Sequence, residues 1–132
     1  MGIPATAVDP ALFADLARHF AALPAPAPST PGDHGLAARG EEIARRGIAS
    51  HDVPACLGCH GAADRNPAYP ELSGQPAEYL ETQLRLFRAE NRGGTRYQHL
   101  MRNAAKNLSD GDIAALAAFF AHRQRPPAAG TP

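Results

Sequence analysis

Large apolar side chains are scarce in this chain, and the scarcity limits the ways it can build a core. Leu, Ile, Val and Phe together make up 23 of the 132 residues, whereas alanine alone supplies 28 of the residues counted as hydrophobic. A share of large aliphatic and Phe side chains below roughly one fifth is usual for disordered chains, above all those of high net charge. Here 13 basic and 13 acidic residues cancel, so self-repulsion does not hold the chain open. Alanine-rich segments of this kind favour helices but leave them short of bulk, which a large apolar cofactor would supply. The length suits one compact domain.

Several function classes are disfavoured at once. A pI near 7.0 offers no basic footprint for nucleic acid. No apolar run reaches the roughly 20 residues needed to span a bilayer. The opening MGIPATAVDP lacks the basic flank and apolar stretch of a secretory leader, so an exported protein would have its signal peptide missing from this sequence. Two cysteines separated by two residues cannot form a disulfide framework and call for a chemical reading.

Apolar spacing predicts an all-α chain. A first helix runs from about Pro10 to Leu23, with Asp9 as N-cap and Leu12, Phe13, Leu16, Phe20 and Leu23 on one face. The Pro-rich stretch 24–35 follows as a linker. A second helix covers about Leu36 to Arg46 and stops at Gly47. The segment from Pro76 to Asn91 forms another, with Tyr79 or Leu80, Gln83 or Leu84, and Phe87 inward and Gly93–Gly94 as its end. A short helix is expected over about Tyr97 to Lys106. In the last helix, Ser109 and Asp112 resemble a capping box and Ile113, Leu116, Ala117 and Phe120 form the stripe, with Pro126 and Pro127 as the stop. Residues 36–125 are then the main domain and 126–132 a tail.

Shifting the sequence by 100 residues sets FADLARHFA (Phe13–Ala21) against IAALAAFFA (Ile113–Ala121), with Ala14, Leu16, Ala17, Phe20 and Ala21 repeated. Either residues 1–23 hold the closing helix of a preceding, similar domain, or two Ala-rich amphipathic helices look alike by composition.

The residues that carry chemistry are Cys56, Leu57, Gly58, Cys59 and His60. C-x-x-C-H is the attachment signature of c-type haem. Two thiols three positions apart on one helical turn suit the two vinyl groups along one porphyrin edge, and the adjacent imidazole suits the iron. A zinc site would need four ligands; His34, His51 and His99 are available, but none forms a second C-x-x-C or H-x-x-x-H pair. A thioredoxin-type dithiol would want a βαβ setting that the sequence lacks.

With those residues in place, the stretches LAARGEEIARRG, VPACLGCHG, YPELSGQPAEYLETQLRLF and MRNAAKNLSDGDIAALAAFFA resemble a class I c-type cytochrome domain of the cytochrome c4/c5-like group. The resemblance covers residues 36–122. It implies the class I cytochrome c fold, three main helices around one haem c held by Cys56 and Cys59, with the helix at Pro10–Leu23 as an addition. It places Gly40 and Phe119 or Phe120 at the crossing of the first and last helices, where Ile43 and Ala44 stand in for the family's usual aromatic. It makes His60 the proximal iron ligand and Met101, eight residues before Ser109, the sixth. His99 is the rival, and Met101 as core filler is the plain alternative.

The resemblance further implies that the Pro70 carbonyl accepts the other ring N–H of His60 and that Leu72 packs on the haem face. Gln75, Tyr79 and Gln83 have the chemistry to bind a haem propionate or the loop, and equally to make ordinary helix contacts. Arg85, Arg88, Arg92 and Arg96 form either a solvated face or a docking patch, and His19, His34, His51 and His122 show no ligand spacing.

The function implied is one-electron transfer with His/Met ligation, and no acid/base catalytic residue. The protein is expected to act in the bacterial periplasm with unidentified redox partners, as a soluble carrier or as a domain of a larger dihaem or redox-enzyme protein with an upstream haem domain. The rivals are a haem-based sensor or enzyme with an open or His-ligated sixth position, and a zinc-binding interaction module.

Overall fold

Short polar caps set the starts of two helices in this chain, those beginning at Pro10 and Asp110. The computed structural model describes residues 9–24, 34–61 and 65–125; the tail at 126–132 and most of the linker at 24–35 lie outside them. The elements are α1 (Pro10–Ala22), α2 (His34–Arg46), a 3₁₀ turn (Ala49–His51), α3 (Leu57–His60), α4 (Ala77–Arg88), α5 (Gln98–Ala105) and α6 (Asp110–His122). No strand occurs among the described residues, only an isolated antiparallel bridge between Ile48 and Val53. None of their helices is long and apolar enough to cross a membrane.

Asp9 caps α1, its carboxylate accepting from the Ala11 and Leu12 amides, and Pro10 fills the first helical position, where a missing N–H costs nothing. Every residue of α1 is exposed, including Leu12, Phe13, Leu16 and Phe20, and it packs on no other described helix.

The domain is built on α2 against α6, with α4 packed on α6 and α5 on α4. Gly40 makes the α2–α6 crossing close: a Cβ there would lie 1.9 Å from the Ala115 carbonyl oxygen and 2.8 Å from the Phe119 Cβ. Phe120 is buried and Phe119 is half-buried at the same crossing, while Ile43 and Ala44 are buried on the α2 side. The stripe Ile113, Leu116, Ala117 and Phe120 is buried, but so are Ala115, Ala118 and Ala121. Thus α6 is enclosed on more sides than its large residues indicate, because alanine lets neighbours approach on the others.

Two helix ends differ from the sequence expectation. α4 stops at Arg88, before Gly93, because Glu90 adopts φ +59° and the Asn91 amide donates to the Leu86 carbonyl at 2.9 Å, a Schellman-type closure. α6 stops at His122, ahead of the two prolines. On α4, Leu80 is buried and Leu84 and Phe87 pack against the core, leaving Tyr79 outward.

The start of α6 is held by a reciprocal capping box. The Ser109 hydroxyl accepts from the Asp112 amide, and the Asp112 carboxylate accepts from the Ser109 amide, each at 3.1 Å. Arg39 of α2 reaches the same carboxylate at 3.2 Å. Burial works to raise the Asp112 pKa, but the Ser109 hydrogen bonds and the Arg39 guanidinium together hold it below the ordinary 3.8. A depressed carboxylate stabilises the fold above its unfolded-state pKa and ceases to do so as pH falls through the folded-state value. Asp112→Asn is therefore expected to cost about 1 kcal/mol at neutral pH, with the gap to the parent closing in acid. Denaturant titrations at the two pH values check it; a gap that stays constant would contradict the assignment.

Candidate haem site

One helical turn carries the attachment residues. The His60 amide donates to the Cys56 carbonyl at 3.0 Å and the Gly61 amide to Leu57 at 3.0 Å, so Cys56, the N-cap of α3, and Cys59 within it lie three positions apart on one turn with His60 beside Cys59. Neither cysteine is in a disulfide; Cys56 is half-buried and Cys59 exposed. Before haem attachment, burial pushes the Cys56 thiol up to about 11.

His60 is 6% exposed, and its Nδ1 lies 2.8 Å from the Pro70 carbonyl oxygen. A carbonyl only accepts, so Nδ1 carries the proton and donates, which leaves the Nε2 lone pair available to a metal. The Tyr69 ring meets the imidazole edge-on, with centroids 6.2 Å apart. Two cysteine sulfurs on one turn and an imidazole of fixed tautomer form a set that fits haem c. Among the described residues, no three His, Cys, Asp or Glu side chains gather as a metal site.

The loop bearing Pro70 is tied down by side chains. Arg65 Nε donates to the Tyr69 carbonyl at 3.1 Å, Arg65 Nη1 lies 3.4 Å from a Glu71 carboxylate oxygen, and the Ser73 amide donates to the other at 2.8 Å. Burial acts to raise the Glu71 pKa, yet hydrogen bonds from Ser73 and the Arg65 and Arg123 charges leave it below 4.5. The Gly74 amide donates to the Phe120 carbonyl at 2.9 Å, fastening the loop to α6. Leu72 is half-buried against the core.

Met101 is half-buried on α5, whereas His99 on the same helix is exposed. Gln75 and Gln83 are half-buried, and Tyr79 is 49% exposed on the first turn of α4. Arg85 and Arg88 both pair with Asp110 at 2.7 Å, which holds that carboxyl below its usual range. Arg92 lies 4.5 Å over the Phe87 ring and Arg96 5.8 Å from that of Tyr97. The arginines thus cross-link α4 to α6 and cover rings rather than standing as free charges. His19, His34, His51 and His122 are all exposed. Sequence reasoning missed Arg65, Tyr69 and Glu71, because no periodicity relates residues of an irregular loop.

Residues 37–124 match the cytochrome c family. Cytochrome c4 of Thiocapsa roseopersicina is 40% identical over 112 residues, covering 80% of this chain and 56% of that protein. A thiosulfate dehydrogenase electron acceptor of Stutzerimonas stutzeri is 36% identical over 88 residues, 63% of this chain and 39% of that protein. The solved structure of Acidithiobacillus ferrooxidans cytochrome c4 aligns with a TM-score of 0.73 at 30% identity, over 89% of this chain and 66% of the other. The chain thus spans about half the length of the curated relatives it matches. With the C-x-x-C-H turn, the helical fold and these likenesses together, the chain belongs to the cytochrome c family, in its c4-like group, and holds haem c covalently through Cys56 and Cys59.

Proposed function

We propose that the chain transfers single electrons through its haem c, with His60 and Met101 as the axial ligands. The observation that carries the reading is the 2.8 Å contact from His60 Nδ1 to the Pro70 carbonyl, which commits the imidazole to presenting Nε2 as a metal donor. Burial supports Met101 as the sixth ligand, since it is half-buried on α5 whereas His99 is exposed. The haem would supply the redox couple, and a thioether ligand from Met101 would favour Fe(II) and raise the potential. The protein's own part is to hold both donors so that neither leaves between oxidation states. That role makes it a carrier rather than an enzyme, and no residue acts as acid or base. Leu72, half-buried in the Pro70 loop, serves as apolar cover on the haem face. Tyr79, exposed on α4, is available to a propionate through its hydroxyl.

Covalent haem c and relatives that include an electron acceptor of thiosulfate dehydrogenase support redox proteins as partners and the bacterial periplasm as the setting. The exposed α1 supports a place within a larger protein. α1 and α6 are 13 residues each, begin on Asp9 and Ser109 as caps, and set Phe13, Leu16 and Phe20 where Ile113, Leu116 and Phe120 are buried. In this reading α1 closes a preceding haem domain. A second C-x-x-C-H encoded upstream of residue 1 would support it, and a secretory leader joined directly there would sink it.

The test of ligation is a reduced-minus-oxidised absorption spectrum on the parent and on Met101→Ala. A c-type spectrum is expected, with a weak iron–thioether band that vanishes in the variant while the potential falls. An unchanged variant spectrum would remove Met101 from the iron and bring forward His99 or an exchangeable site, and with it ligand sensing.

A further inference from the structure

Pro70 sits in an irregular loop and is itself exposed, yet its carbonyl must point steadily at a buried imidazole. The residues on either side of it are gripped by one ion pair. Arg65 donates through Nε to the carbonyl of Tyr69, the residue before Pro70, and reaches the carboxylate of Glu71, the residue after it, at 3.4 Å. The side chains of Arg65 and Glu71 are 25% and 19% exposed, so this is not a freely solvated surface pair. Glu71 in turn accepts from the amide of Ser73, which is buried, and the next amide, Gly74, is fixed to α6. The guanidinium therefore spans the turn, with Pro70 at its centre and the Tyr69 ring against His60.

We propose that Arg65 and Glu71 are positioning residues that set the strength of the His60–Pro70 hydrogen bond and, through it, the reduction potential of the haem. The inference rests on His60 being an axial ligand. A firm bond from the ring N–H to a carbonyl raises the basicity of the coordinating nitrogen, which favours Fe(III). Loosening the bracket weakens that bond and shifts the couple toward Fe(II). Direct electrostatics predicts something different. Removing the positive charge of Arg65 would favour Fe(III), and removing the negative charge of Glu71 would favour Fe(II). The bracket predicts the same direction for both.

The experiment is a redox titration of the haem-loaded protein for the parent, Arg65→Gln, Glu71→Gln and Arg65→Lys. Lysine keeps the charge but lacks the planar fork that serves Tyr69 and Glu71 together, and it is the variant least able to disturb folding. At a fixed ambient potential, each variant is expected to show a reduced-to-oxidised ratio about threefold higher than the parent, the size of change that weakening one hydrogen bond brings. For a one-electron couple a tenfold change is 59 mV. Shifts of opposite sign in Arg65→Gln and Glu71→Gln, or an unshifted Arg65→Lys, would overturn the proposal. Failure of the underlying ligation is separable, because a parent spectrum without imidazole-ligated haem would reveal it before any variant is titrated.

Discussion

Gly40→Ala is expected to cost more than about 3 kcal/mol of stability, enough to leave much of the protein unfolded or unable to retain a native haem spectrum. The added methyl would lie 1.9 Å from the Ala115 carbonyl oxygen, 2.5 Å from the Ala115 carbonyl carbon and 2.8 Å from the Phe119 Cβ. Two of those atoms are helical backbone and the third is the root of a side chain, so no rotamer change relieves the clash. α2 and α6 would have to separate, and they are the pair on which the domain is built. Ile43 and Ala44 on α2 and Leu116 and Phe120 on α6 are all in that buried cluster. Overpacking in a close-packed core costs about 1–3 kcal/mol when side chains can shift, and more when backbone must. Alanine's better helix propensity returns only about 1 kcal/mol. A domain of this size is stable by roughly 5–15 kcal/mol in total. Gly58 is the control, since a Cβ there meets nothing within 4 Å. Thermal and denaturant unfolding of the two variants settles the comparison, and a Gly40→Ala protein as stable as Gly58→Ala would refute the close crossing.

What the sequence made legible was local. Asp9 and Ser109 were readable as caps because a cap is decided within four residues. Cys56, Cys59 and His60 were readable for the same reason, since their geometry is fixed by one turn of α3. The family resemblance carried Gly40 to a crossing that spacing alone would not have located. Burial of α6 was underestimated because periodicity counts large residues, and Ala115 and Ala118 are small. The end of α4 was misplaced because Glu90 accepts a left-handed conformation that residue type disfavours, with Arg102 of α5 paired to its carboxylate at 2.7 Å. Arg65 and Glu71 were invisible: six positions apart in a loop, they are paired by the path of the chain and not by any repeat.

Cys56→Ala with Cys59→Ala is expected to have the largest effect of all: a chain without covalent haem that no longer unfolds cooperatively. The reason lies in the core. Among the described residues, the large apolar side chains that are buried are Ile43, Val53, Leu80, Leu108, Ile113, Leu116 and Phe120, and the remaining buried hydrophobic residues are all alanines. Fully burying a large side chain stabilises by roughly 1.5–3 kcal/mol, while ordering each residue of backbone costs about 1–2 kcal/mol. Alanines bring little apolar area against that cost, so the helices by themselves are close to the limit of stability. Leu57, Leu72, Leu84 and Phe87 pack only partly against the buried cluster and gain most from a large apolar surface held among them. Thioether bonds make the macrocycle part of the chain, so its contacts form within the molecule and carry no separate association cost. The double variant should therefore show reduced helical circular dichroism and a broad melt, while the haem-loaded parent melts sharply. Cys59→Ala alone keeps one thioether and should retain haem with a modestly lower Tm. A sharp melt in the haem-free double variant would mean that α2, α4 and α6 suffice as a core, and that the scarcity of large side chains does not make the fold depend on its haem.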